Sequence, residues 1–246
     1  MTDCLGMSVD DGLVAISDTL VTSGRECITL KKVTVYETPG GPLFIMTSGL
    51  RSVRDKTLTY FEEALAERTE PFSRLFKAVN MFSEKLRMVA KEDRESIEAG
   101  GLNWNIHALI GGQMENDASH KLYMVYSEGN WVDTGVATPY QSIGATGYGK
   151  PIMDRALKHS DPMRHAFKVG CLSFDSTRLS AADVYFPIDV VLYRKGSFKM
   201  VYHRLQQEDL AELSGFWQDQ LRSAMGKIPD EWADQAFDKL DETNSP

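Results

Sequence analysis

Apolar positions along this chain fall into blocks of two different periods. Residues 4–9 (CLGMSV) and 13–17 (LVAIS) are short apolar runs on either side of Asp10-Asp11-Gly12. Asp-Gly between two such runs predicts a tight hairpin. The arms are of equal length, so the hairpin returns Asp18 to the side of Thr2. After Thr19–Gly24 and a polar link, residues 28–36 (ITLKKVTVY) alternate as a strand, with Lys31 and Lys32 on opposite faces. Pro39-Gly40-Gly41-Pro42 marks a turn. Residues 43–48 (LFIMTS) predict a strand buried on both faces that ends at Gly49.

The period then changes. Leu58, Phe61 and Leu65 share one face of a helix over 51–68. Leu75, Val79, Phe82, Leu86 and Val89 step by three and four over 71–95, with Pro71 at the helix start. Both stripes are core faces for packing on a sheet. Strands resume at 105–111 (NIHALIG) and 121–127 (KLYMVYS), with a turn near Asn130 and one more short strand. Ile143–Pro151 leads into a helix over 150–159, then come a short helix over 161–168 and a strand over 168–174. Runs at 188–194 and 198–204 predict a last hairpin, and 207–240 a helical tail with Trp217, Leu221, Ile228 and Trp232. Strands in blocks and helices in pairs imply antiparallel sheets covered by helix layers, not a βαβ alternation.

Composition narrows the function classes. The 246 residues are 42% hydrophobic and 25% charged, which suits one globular domain over 1–205 with a helical extension over 206–246 packed on it. The net charge of −8 and the lack of a basic block argue against a nucleic-acid partner. No apolar run reaches the length of a membrane span. No signal-peptide pattern starts the chain, so the expected location is the cytoplasm, with Cys4, Cys27 and Cys171 as reduced thiols. His107, His120, His159, His165 and His203 lack metal-ligand spacing, so neither a metal nor any other cofactor is expected. Gly144-x-x-Gly147-x-Gly149 lacks the spacing of a phosphate loop.

The chemistry of the first residues stands apart. With Met1 removed, Thr2 carries a hydroxyl nucleophile and a free α-amine whose pKa is about 7.7–8.0 in peptides. Such a residue supplies nucleophile and base together. A neighbouring ammonium would lower the amine's pKa, since like charges disfavour the charged form. Lys32 is a candidate for that role and Asp18 for its partner, although an ordinary salt bridge explains the same pair. The N–H of Gly49, at the end of a core strand, is a candidate oxyanion donor.

Thr2, Asp18-x-x-x-Thr22-x-Gly24, Lys32 followed by Val33 and Val35, and Thr47-Ser48-Gly49 resemble the N-terminal half of proteasome β-type subunits. Ile143-Gly144-x-Thr146-x-Tyr148-Gly149-Lys150-Pro151-Ile152-x-Asp154-Arg155 resembles the bacterial ancestral β-subunit family, Anbu. Ser173-Phe174-Asp175-Ser176-Thr177, Pro187-Ile188-Asp189 and Tyr193 extend that likeness, which covers most of residues 2–204. The resemblance implies an α+β fold, a four-layer αββα sandwich of the N-terminal nucleophile hydrolase type. It implies a threonine-type endopeptidase acting on peptides or unfolded protein, and self-association into a ring-like or spiral homo-oligomer.

The same resemblance implies roles for single residues. Thr2 is the nucleophile and base, Lys32 tunes the amine, Asp18 orients Lys32, and Gly49 supplies the oxyanion N–H. The backbone of Thr22 pairs with extended substrate. Asp175 and Ser180, the latter after a two-residue insertion, match the pair that holds the terminal amine. Thr19-Leu20 replaces the usual Ser-Arg, and Ala145 or Thr146 falls opposite a family serine near the amine. Two other readings stand beside this one: a catalytically silent scaffold subunit, and an amidase for a small molecule. No segment identifies an unfoldase partner.

Overall fold

The computed structural model describes residues 3–23 and 26–243. Thr2 and Gly24 therefore lie outside the described residues. The chain divides into two compact units, residues 1–209 and 210–246.

The first unit begins with the predicted hairpin. β1 (Asp3–Val9) and β2 (Gly12–Asp18) pair from Cys4↔Ser17 to Val9↔Gly12, and Asp10-Asp11 form the turn. A small hairpin of β3 (Leu20–Ser23) and β4 (Glu26–Thr29) follows. β5 (Val33–Thr38) and β6 (Gly41–Gly49) lead to α1 (Arg51–Ala66) and α2 (Leu75–Ala99). Next come β7 (Ile106–Gly112), β8 (Lys121–Val125), β9 (Trp131–Asp133) and β10 (Tyr140–Gly144). α3 (Thr146–Ala156), α4 (Met163–Ser180), β11 (Ile188–Arg194) and β12 (Met200–Leu205) complete the order, before α5 (Gln207–Met225) and α6 (Glu231–Thr243). One five-stranded sheet has the order β10-β1-β2-β11-β12 and the other β5-β6-β7-β8-β9. All neighbours in both are antiparallel.

Strand alternation explains what each face meets. On β1, Cys4 joins Leu13, Phe44, Met46, Leu109 and Leu122 in a core shared by the two sheets. Met7 points the other way: a Cβ on Gly170 of α4 would meet its Cε at 2.5 Å. A second core joins Leu43, Ile45, Ile106 and Ile110 to Phe61, Phe82 and Leu86 of α1 and α2. So α3 and α4 pack together beside the first sheet, and α1 and α2 cover the second.

Several elements differ from the sequence expectation. The run 168–174 is not a strand but part of α4, which also absorbs the short helix predicted over 161–168. Its buried positions, Ala166, Val169, Gly170, Ser173, Phe174 and Thr177, have helical spacing. The run looks strand-like because α4 is buried both by β1 and β2 and by α3. α2 begins at Leu75, not Pro71, where the Asp117 carboxylate accepts the Leu75 N–H at 2.9 Å. α3 runs over Thr146–Ala156, earlier than the predicted 150–159. The strand predicted over 28–36 is broken at Leu30–Lys32, and β10 was not expected at all.

The second unit holds most of α5 and all of α6. Phe216, Leu221, Met225, Ile228, Trp232 and Phe237 are exposed there. No helix among the described residues is long and apolar enough to cross a membrane.

Candidate active site

Asp18 ends β2, opposite the start of β1, because the two hairpin arms match in length. Its side chain is fully buried. Oδ1 accepts the Asp3 N–H at 2.9 Å and Oδ2 the Leu20 N–H at 3.2 Å. Lys32 sits in the break between β4 and β5, which lets its side chain turn inward. Its Nζ donates to Asp18 Oδ1 at 2.7 Å and to the Leu20 carbonyl oxygen at 2.6 Å. The lysine side chain is only 3% exposed. Burial raises the pKa of Asp18, while Lys32 and the two backbone donors pull it back down. A buried ammonium next to a buried carboxylate with backbone donors is a fully partnered ion pair, whose fixed geometry is its main product.

Gly49 closes β6 at φ +128°, and a Cβ there would lie 2.1 Å from the Asn105 carbonyl oxygen. Both facts demand glycine. Beside it opens a cavity of about 410 Å³ lined by Thr22, Leu30, Lys32, Thr47, Gly49 and Gly144, together with Arg51, Arg54 and Asn105. The structure thus brings Thr22, Lys32 and Gly49 to one cavity, with Asp18 directly behind Lys32.

Asp175 and Ser180 both lie on α4. Asp175 is buried and paired with Arg178, whose Nη2 and Nε approach Oδ1 at 2.6 and 2.8 Å. Ser180 is the exposed last residue of the helix. Neither lines the cavity. Thr146 and Ala145 lie with Asp3, Ser173 and Thr177 around a smaller pocket on the helix side of β1. Among the described residues no group of three or more His, Cys, Asp or Glu is placed to hold a metal ion. Cys4 and Cys171 are buried, and burial pushes both thiols up, Cys171 to about 12.

Sequence reasoning missed Asp3, Arg51, Arg54 and Asn105. Asp3 is buried, and its carboxyl is pushed up to about 7, first by burial and then by the charge of Asp18. Its place beside the expected nucleophile was the available signal. Arg51 and Arg54 follow Gly49 so closely that the start of α1 must border whatever Gly49 borders.

No protein-family model matches the chain, and no curated protein matches it in sequence. Solved structures do match. A Gly-1 mutant of Anbu from Hyphomicrobium sp. strain MC1 superposes with a TM-score of 0.86 at 27% identity, covering 93% of this chain and 98% of that one. The helical assembly of the Anbu complex from Pseudomonas aeruginosa gives 0.85 at 26% identity, covering 92% and 97%. Anbu, the ancestral beta-subunit, from Yersinia bercovieri gives 0.84 at 25% identity, with the same coverage. Over more than nine tenths of its length the chain is thus similar in structure to proteins of the ancestral β-subunit (Anbu) family, the family that its sequence resembles.

Proposed function

We propose that the chain is a threonine-type peptidase of the N-terminal nucleophile kind, working from Thr2 after removal of Met1. The observation that carries this reading is the buried Asp18–Lys32 pair, tied to the backbone of Asp3 and facing a cavity rimmed by Gly49. The packing of α4 on β1 and β2, of the two sheets on each other, and of α1 and α2 on the second sheet supports a four-layer αββα arrangement around that pair.

In this mechanism Thr2 Oγ attacks the scissile carbonyl carbon and its proton passes to the Thr2 amine. The Lys32 ammonium favours the neutral amine at the start. The tetrahedral oxyanion takes the Gly49 N–H; one such donor contributes about 10²–10³ in rate. The intermediate collapses, the amine hands its proton to the leaving nitrogen, and an acyl ester remains on Thr2. Water, deprotonated by the same amine, then releases the acid and restores the hydroxyl. Asp18 fixes Lys32, Thr22 pairs its backbone with an extended substrate, and Asp175 and Ser180 support the amine. The P. aeruginosa protein forms a helical assembly, which supports self-association of this chain as well.

The test compares wild type with Thr2→Ala on a peptide-amide library after mass analysis has verified removal of Met1. Cleavage by wild type, lost in a folded Thr2→Ala, is the expected result. Equal turnover in the variant would overturn the assignment of Thr2. Cleavage of small amides alone would favour the amidase reading, and no turnover at all the silent scaffold.

A further inference from the structure

The walls of the cavity carry more positive charge than the hydrolase reading uses, and the selectivity inferred from that charge rests on the same reading. Three cations line the cavity: Lys32, Arg51 and Arg54. Lys32 is matched by Asp18. Arg51 and Arg54 share one carboxylate, Asp55, which does not line the cavity. Among the described residues the cavity therefore has three cations against two anions, in a chain of net charge −8. None of its lining residues among those described is acidic.

The two arginines are not held alike. Arg51 donates from Nε to Asp55 Oδ2 at 3.3 Å, and its side chain is 56% exposed. Arg54 is 17% exposed, so its guanidinium has left most of its water. Nη2 donates to the Lys31 carbonyl oxygen at 3.2 Å. Nε is buried and has no hydrogen-bond partner among the described residues; Asp55 Oδ1 lies 3.4 Å away without the required alignment. The Thr47 hydroxyl, also at this cavity, is buried without a partner as well. Arg54 and Arg51 thus have one carboxylate between them, at 3.4 and 3.3 Å, and bring a net positive charge to the cavity.

We propose that this cavity selects an acidic substrate side chain, an Asp or Glu whose carboxylate Arg54 binds, with Arg51 at the rim. A planar guanidinium suits a carboxylate, and charge-assisted hydrogen bonds are about twice as strong as neutral ones. Val21 and Leu30, which line the same cavity, fit the methylene stem of a glutamate better than that of an aspartate. A lysine or arginine side chain in the same place would face a net positive charge and meet no carboxylate among the described lining residues.

The test is equilibrium binding to the full protein, which needs no turnover. The probes are fluorescein-labelled, non-cleavable tripeptides ending in Glu, Leu or Arg, each with a reduced bond in place of the scissile amide. The Glu probe should bind at least about tenfold more tightly than the Leu probe, with an advantage that shrinks as salt is raised. Arg54→Met should erase that preference and Arg54→Glu should transfer it to the Arg probe, with unchanged circular dichroism. Equal binding of all three probes, or an order that survives Arg54→Glu, overturns the proposal. If Arg54→Glu does not fold, Arg51→Ala at the rim should still lower the Glu advantage. Tight Glu binding with no cleavage of the matching amide would overturn the hydrolase reading and leave the acidic preference standing.

Discussion

Asp3 shows how much one buried residue can hold. Burial, and next the charge of Asp18, push its carboxyl from an ordinary 3.8 up to about 7, while the Thr177 side chain and Lys32 pull it down. Since the folded value is the higher, the folded state binds more protons between those limits, and stability falls as pH rises from about 4 to about 7. Asp3→Asn removes this loss. Urea melts should show the variant ahead of wild type by a widening margin up to about pH 7 and a constant margin above it. A margin independent of pH would contradict the assignment. Breaking the Lys32–Asp18 pair should instead destabilise: Lys32→Ala strands a fully buried carboxylate and should cost about 3–5 kcal/mol in the same melts, together with activity at neutral pH. A near-normal rate would leave Lys32 as structure only.

Those residues also mark the reach of the sequence. Asp18 was legible because hairpin geometry is a local rule, whereas Lys32 reaches it from a break in the strand that alternation had predicted. The closeness of Arg54 and Thr47 to the same cavity depends on β6 passing beside the Leu30–Lys32 break, where Thr47 N–H donates to the Lys32 carbonyl oxygen at 3.3 Å. That is a contact between segments, invisible to any window of sequence.

Elements follow the same rule. The β1–β2 hairpin, β6, and the β11–β12 hairpin fall close to their predicted places, since each is set by its own alternation and turn. Helix starts divide: α1 and α5 begin where expected, at Arg51 and Gln207, whereas α2 and α3 do not. The N–H of Leu75 in α2 finds the Asp117 carboxylate, and that of Met163 in α4 finds Asp11 in the β1–β2 turn at 2.9 Å. Caps supplied from distant segments leave no signature beside the helix they start. The meeting of α3 and α4 makes a paired prediction. A Cβ on Gly149 would sit 2.1 Å from Ser173 Oγ, whereas one on Gly147 meets nothing within 4 Å. Gly149→Ala should destabilise by about 1–3 kcal/mol through overpacking. Gly147→Ala, on the same helix, should be neutral or stabilise by up to about 1 kcal/mol. Thermal melts of the two variants that move together would show that α3 does not seat on α4 as described.

For the whole molecule, two antiparallel sheets with helices over them put the ends of β6 and β10, with β3 and the start of α1, around one cavity. That arrangement was readable as a class from strands in blocks and helices in pairs. Self-association belongs to this scale too. Mass photometry should find species larger than the 27.6 kDa chain, in proportions that rise with concentration; a monomer throughout would rule self-association out. The proposed chemistry turns on residue 2 being both nucleophile and base, and one measurement reaches that directly. The protein is treated with a peptide epoxyketone, which closes a ring on a hydroxyl and an α-amine of the same residue, and its N-terminal peptide is weighed. The expected peptide lacks Met1 and is heavier by one inhibitor, with the adduct on Thr2. An unmodified N-terminal peptide that still carries Met1 would contradict the assignment of Thr2 as nucleophile and base.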